Sequence, residues 1–399
     1  MSLGYGRHYL AIPGPSVMPD RVLAAMQRPA PNIYTGELID MVPGIIADLK
    51  KVARTSHHVA IYVSNGHGVW EAALANTMSR GDKVLVPSVG SFCEGWADTA
   101  RGMGIEAEVM DFGKRDTIDL ARLAERLAAD TAHEIKAVMT VHVDTSTSIR
   151  NDVAALRRVL DEVGHPALLM IDCIASLGCD VFEMDAWGVD VMIAGCQKGL
   201  MTPPGMAYVF FNDRADRARD GANCVTPYWD WRPRVESEYF YLYFCGTAPT
   251  HHLYGQRVAL DMIAEEGLEA VWRRHEVLAR TVWAAFDHWG QVGPVALNIE
   301  APEHRSHAVT TVRAGSSKAS RLREWCENRA GLTLGIGLGM AASGTREWHH
   351  FFRVGHMGHV SAQMILGALG TIEAGMTAVG IEHQSGGVDA AAKVIAEVA

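Results

Sequence analysis

Residues 167–200 read ALLMIDCIASLGCDVFEMDAWGVDVMIAGCQKGL. The stretch holds two short apolar runs, ALLMIDC (167–173) and VDVMIAGC (189–196), each with ionisable chemistry at its end. The first closes on Asp172, and Lys198 follows the second. Continuous apolar runs of this length, bounded by turn residues, read as buried strands. A carboxylate or an ammonium where such a strand leaves the core is costly unless it is paired, solvated or used.

Working outward, comparable runs are HVAIYVS (58–64), KVLVPS (83–88), AEVMDF (107–112), AVMTVHV (137–143) and MAYVFF (206–211). Between them, GVWEAALANTMS, DLARLAERLAAD and DVAALRRVLDEV repeat their apolar residues at helical spacing. Strand–helix alternation predicts an α/β chain built on a mostly parallel sheet between helices. Ligands of such sheets bind beyond the carboxyl ends of the strands, so strand-end residues become the candidates. From about residue 250 the pattern turns helical, HHLYGQRVALDMIAEEGLEAVWRRHEVLARTVWAAFDHW, and from about 291 it mixes short strands and helices. The expected division is an N-terminal segment, 1–20, packing with the small domain or a partner subunit; a large cofactor-binding domain, 21–262; and a smaller α+β C-terminal domain, 263–399. The glycine-rich GLTLGIGLGMAASG (331–344) lacks the GxGxxG spacing of a dinucleotide loop and reads as a structural loop.

Composition removes several classes of function. With 36 basic against 46 acidic residues and a net charge of −10, the chain is not expected to grip nucleic acid. No apolar run reaches the length that spans a bilayer, and the N-terminus lacks the apolar core of a secretory signal. Seven scattered cysteines without a CxxC pair suggest neither a disulfide framework nor a zinc site, and fit a reducing cytoplasm.

Four features carry chemistry. Ser64-Asn65-Gly66-His67-Gly68 ends one strand and opens a helix, where backbone N–H groups suit either an ordinary cap or a phosphate. Asp172 is a structural aspartate or the partner of a protonated ring nitrogen. Lys198 either starts a loop with its amine in water or is a nucleophile held among apolar walls. Arg353, in HHFFRVGHMGH, offers a planar guanidinium that matches a carboxylate. Pyridoxal 5′-phosphate needs the first three together: a phosphate cradle, an acid opposite its pyridine nitrogen and a Schiff-base lysine.

IPGPSVMPDRVLAAM, NGHGVWEAAL, HVDTSTSIRND, LLMIDCIASLGCD, MDAWGVDVMIAGCQKGLMTPPG and FFRVGHMG, in this order, resemble the class V aminotransferases of fold type I, most nearly the alanine–glyoxylate and serine–glyoxylate branch. The resemblance spans nearly the whole chain. It implies a fold-type I PLP-dependent transferase and a homodimer with a shared active site. By motif, Asn65, Gly66 and His67 would cradle the phosphate, Phe92 would stack on the cofactor, and Ser146 would bond near its ring hydroxyl. Asp172 would pair with the ring nitrogen, Gln197 would precede the catalytic Lys198, Thr247 would reach the partner subunit's phosphate, and Arg353 would clamp the substrate carboxylate. The implied reaction is a ping-pong transfer from serine, alanine or aspartate to glyoxylate, giving glycine and a 2-oxo acid. Arg346, His349 and His350 would either extend the substrate pocket or decorate a surface loop, and the loop is the preferred reading.

Other readings are weaker. A desulfurase-like lyase needs a mobile cysteine late in the chain, whereas Cys326 lies in the helical pattern KASRLREWCENRAG. A non-catalytic regulator has no use for both Lys198 and Arg353, and a nicotinamide dehydrogenase has no fingerprint here. Histidines 349, 350, 356 and 359 lack the carboxylate or cysteine partners of a metal site. The aromatic-rich segment 226–244 reads as an interface or a substrate gate.

Overall fold

The structure, a computed structural model, describes residues 2–235 and 237–398. The outermost residues of the first and last expected segments, and Glu236 in the aromatic-rich stretch, lie outside the described residues. After a short N-terminal strand, β1 (Tyr9–Ala11), the first half supplies β2 (His58–Ser64), β3 (Lys83–Ser88), β4 (Glu106–Asp111), β5 (Ile135–Val141), β6 (Leu168–Asp172), β7 (Val191–Gly195) and β8 (Gly205–Phe211). Strands β2 to β8 form one sheet in the order β2-β8-β7-β6-β5-β3-β4. Only β8 runs against its neighbours, so β2 to β7 all point the same way. Apart from the half-exposed edge strand β4, their interiors are buried on both faces, which is why they read as continuous rather than alternating apolar runs.

Helices Gly66–Thr77, Ser91–Gly102, Leu120–Ala129 and Val153–Val163 connect these strands. The crossover from β6 to β7 differs from the expected strand–helix unit: residues 173–190 form turns and no α-helix. Gly178 and Gly188 there hold φ of 79° and 61°, left-handed values at which a helix ends rather than continues. β6 and β7 are paired neighbours with Asp172 opposite Ile193, so their carboxyl ends lie side by side.

The smaller domain adds β9 (Ala296–Leu297), β10 (Val309–Arg313), β11 (Leu332–Ile336) and β12 (Phe351–Gly355), in the sheet order β1-β11-β12-β10-β9. The segment expected to be a glycine-rich loop thus opens with a strand. Leu332–Ile336 pairs in parallel with β1 and antiparallel with β12, burying Leu332 and Leu334 on one face. The long helical pattern is broken at Gly267, whose φ of 87° separates the helices Thr250–Glu266 and Leu268–Trp289. The second of these helices is shared: Val271 belongs to the large core, and the small core begins at Leu278.

The expectation that no segment is long and apolar enough to cross a bilayer fails at one helix. Ala362–Val379 reaches that length and composition. Its apolar character has a local cause, because Ile365, Ala368, Leu369, Ile372 and Met376 fill the small-domain core.

Candidate active site

Because β2 to β7 point one way, their carboxyl ends share one edge of the sheet, and the chemistry gathers there. Asp172 is the last residue of β6, and Lys198 sits in the turn after β7. Asn65 follows β2 and caps the helix Gly66–Thr77, its side-chain oxygen accepting from the His67 and Gly68 N–H groups at 3.1 and 3.3 Å. Gly66 allows a close approach, since a Cβ there would push the end of the Ile174 side chain aside. These elements enclose a cavity of about 260 Å³ lined by Asn65, Gly66, His67, Trp70, Phe92, Val143, Thr145, Asp172, Ile174, Ala175, Gln197 and Lys198. A larger space of about 700 Å³, between the N-terminal segment and the helix Ala362–Val379, contains none of these groups.

The two ionisable residues are displaced towards each other in acidity. Burial raises the Asp172 carboxyl to about 7, against the stabilising effect of two donors. The Ile174 N–H and the Trp70 Nε1–H each donate to it at 2.7 Å. Burial, aided by the Arg353 guanidinium, lowers the Lys198 amine to about 8. Near neutral pH this amine is therefore far closer to its nucleophilic form than a solvated lysine.

Seven of the expected residues line the cavity: Asn65, Gly66, His67, Phe92, Asp172, Gln197 and Lys198. Three do not. Ser146 is fully buried behind the wall, its hydroxyl donating to Asp144 and accepting from the Ser91 N–H at 3.2 Å. Its neighbour Thr145 lines the cavity instead. The turn after β5 thus directs Thr145 inward, while Ser146, expected near a ring hydroxyl, is held in this structure by Asp144. Thr247 is exposed and outside the cavity of its own chain. Arg353 stands one layer back on β12, donating from Nη1 to the Thr145 carbonyl at 2.8 Å and from Nε to the Ile336 carbonyl at 2.7 Å. Its Nη2 makes no hydrogen bond among the described residues.

Arg346, His349 and His350 also lie off the cavity. Arg346 is exposed, and His349 Nδ1 is bound to the Ser320 hydroxyl at 2.7 Å. Cys326 is buried inside the helix Lys318–Ala330, bounded by the small core.

Sequence reasoning assigned no role to Trp70 or Asp144. The Trp70 indole holds Asp172 and meets the rings of His67 and Phe92 edge-on, with centroids 4.6 and 6.3 Å away. Asp144, fully buried, accepts from the Phe92 N–H at 3.0 Å and the Ser146 N–H at 2.9 Å, and so ties the start of the helix that carries Phe92 to the turn after β5. The available signal was a second acid just past the end of β5, next to β6 and its own terminal acid. The donor set suits a planar aldehyde with an anionic tail: an amine able to lose its proton, a buried carboxyl able to take one from a ring, and a glycine-opened helix start.

Residues 8–363 match the family model described as aminotransferase class-V. The chain is 35% identical to the serine–glyoxylate aminotransferase of Methylorubrum extorquens, over 98% of this chain and 97% of that one. It is 34% identical to the L-aspartate–glyoxylate aminotransferase of Paracoccus denitrificans, over 96% and 94%. The solved pyridoxamine–pyruvate aminotransferase of Mesorhizobium loti superposes with a TM-score of 0.88 at 24% identity, covering 100% of both chains, a likeness of fold.

Proposed function

The chain belongs to the class V aminotransferases and is a transaminase; from that premise we propose that it passes the amino group of a small L-amino acid to glyoxylate, with pyridoxal phosphate as cofactor. The relatives named above for serine–glyoxylate and L-aspartate–glyoxylate transfer support the acceptor. One observation carries the reading: Lys198 and Asp172, from neighbouring strand ends, line the same cavity.

When bound, pyridoxal phosphate supplies the electron sink and carries the amino group between the two half-reactions. The N–H groups at the start of the helix Gly66–Thr77, with Asn65 and His67, would hold its phosphate. Asp172 would hold a proton at the pyridine nitrogen, and Trp70 and Ile174 keep that carboxylate aimed. Phe92 would pack against the ring, with Gln197 beside the lysine and Thr145 completing the wall. Lys198 Nζ takes the proton from the Cα of the amino donor, and Arg353 fixes that Cα by holding the α-carboxylate. Thr247, exposed and outside the cavity of its own chain, would reach the phosphate of a second copy, and in this reading the working unit is a homodimer. With all seven cysteines free, the same reading assigns the protein to the cytoplasm.

The charged groups of the cavity bear on the donor. Among the described residues the ionisable lining is His67, Asp172 and Lys198, so with Arg353 on the α-carboxylate no second guanidinium answers another carboxylate. Serine and alanine are therefore expected to outrun aspartate. A matrix of amino donors against glyoxylate and pyruvate, following glycine or alanine, tests this. Glycine formation from serine or alanine supports the reading, and the absence of amino transfer to any 2-oxo acid sinks it.

Replacing Arg353 by alanine should raise KM for donor and acceptor alike by roughly 10–100-fold, the effect of losing a charge-assisted hydrogen bond worth about 1.5–3 kcal/mol. An unchanged KM in folded Arg353→Ala protein removes the guanidinium from carboxylate binding.

A further inference from the structure

Lys198 is gripped by a segment from the other end of the chain. Residues 12–16, Ile-Pro-Gly-Pro-Ser, leave β1 and run against the turn that carries the lysine. Three separate contacts join them. The Lys198 ammonium donates to the Pro13 carbonyl, 185 residues away in sequence. Gly14 holds φ of 90°, and a Cβ there would run into Cδ, Cε and Nζ of Lys198. Ser16 clasps the turn itself, its N–H donating to the Gln197 carbonyl and its hydroxyl to the Lys198 carbonyl, at 2.8 and 2.7 Å. On the other side, a Cβ at Gly358 would lie 3.0 Å from Ser16 Oγ and 3.2 Å from the Lys198 carbonyl oxygen. The segment has no slack in which to drift.

We infer that residues 12–16 are a strap that positions the Lys198 amine, with the Pro13 carbonyl as its acceptor and Ser16 as the clasp. The inference rests on the proposed role of Lys198 and adds to it a positioning device. A neutral amine has one lone pair and two N–H bonds. A carbonyl that accepts one N–H confines the lone pair to a narrow arc, and an amine so confined meets the donor's Cα–H in a productive orientation far more often than a freely rotating one. Because the strap continues β1, which pairs with β11, the aim of the amine depends on the small sheet as well as on β7.

Competitive acetylation of the cofactor-free protein from about pH 6 to about pH 10, read residue by residue by mass spectrometry, reports how freely each amine reacts. The ionisable groups that bear on Lys198, namely Arg353, Asp172 and the neutral Cys179 thiol, are left in place by the variant. Ser16→Ala keeps the backbone bond to Gln197 and removes only the hydroxyl. It should make Lys198 react about fivefold faster than in wild type while the exposed Lys51 and Lys136 do not change, and lower kcat about tenfold with little change in KM. Gly14→Ala should act in the same direction and more strongly. Unchanged or slower labelling of Lys198 in folded Ser16→Ala protein overturns the strap. The underlying role is tested apart from this: borohydride treatment of the cofactor-loaded wild type that adds mass at a residue other than Lys198 refutes the role of the amine and leaves the labelling result intact.

Discussion

Lys198→Ala protein is expected to lose amino transfer by roughly 10⁴-fold or more, because one side chain serves both as the covalent anchor and as the base at Cα. Among the described residues no other lysine lines the cavity, so no second amine stands ready to take over. An added primary amine should restore part of the proton transfer, since the space left by the side chain adjoins the reacting carbon. Wild-type protein should be yellow with cofactor and bleach on borohydride reduction, with mass gained at Lys198. Retention of the wild-type rate by Lys198→Ala would rule out the proposed chemistry.

The second large effect belongs to Asp172. Asp172→Asn should slow transfer by roughly 10³-fold, since a neutral amide cannot stabilise a proton at the ring nitrogen as a carboxylate does. It should also leave a signature in the cofactor-free protein. Burial raises this carboxyl to about 7 in the folded chain, whereas in the unfolded chain it stays near its ordinary value of about 4. Over that window the folded state holds a proton that the unfolded state has released, so stability falls as pH rises from about 4 to about 7, and the whole penalty persists above. By linkage the penalty is of the order of 2–4 kcal/mol. Asp172→Asn removes the titration, so its melting temperature relative to wild type should climb from pH 5 to pH 8 (about 3 pH units) in the absence of cofactor. A constant difference between the two proteins across that range contradicts the raised acidity.

Much of this was readable in advance where the physics is local. The seven apolar runs became the seven strands of the large sheet, with ends moved by a residue or two, because a strand buried on both faces needs a continuous apolar stretch. Reading failed where a glycine outweighed a pattern. Gly267 cut one long helical stretch in two, and Gly178 and Gly188 replaced an expected helix by turns. It failed again at 332–336, where glycine content masked a largely buried strand.

The sequence by itself determined the α/β layering and the kinds of group at the strand ends, because periodicity and the cost of burying charge are properties of short segments. Tertiary structure alone decided which groups meet. Thr145 faces the cavity and Ser146 does not, because a turn directs adjacent side chains apart and Asp144 holds one of them. Trp70 reaches Asp172 across 102 residues, and Pro13 reaches Lys198 across 185. No short-range pattern encodes such contacts; they exist only once the sheet has brought its carboxyl ends to one edge and the small domain has laid β1 beside them.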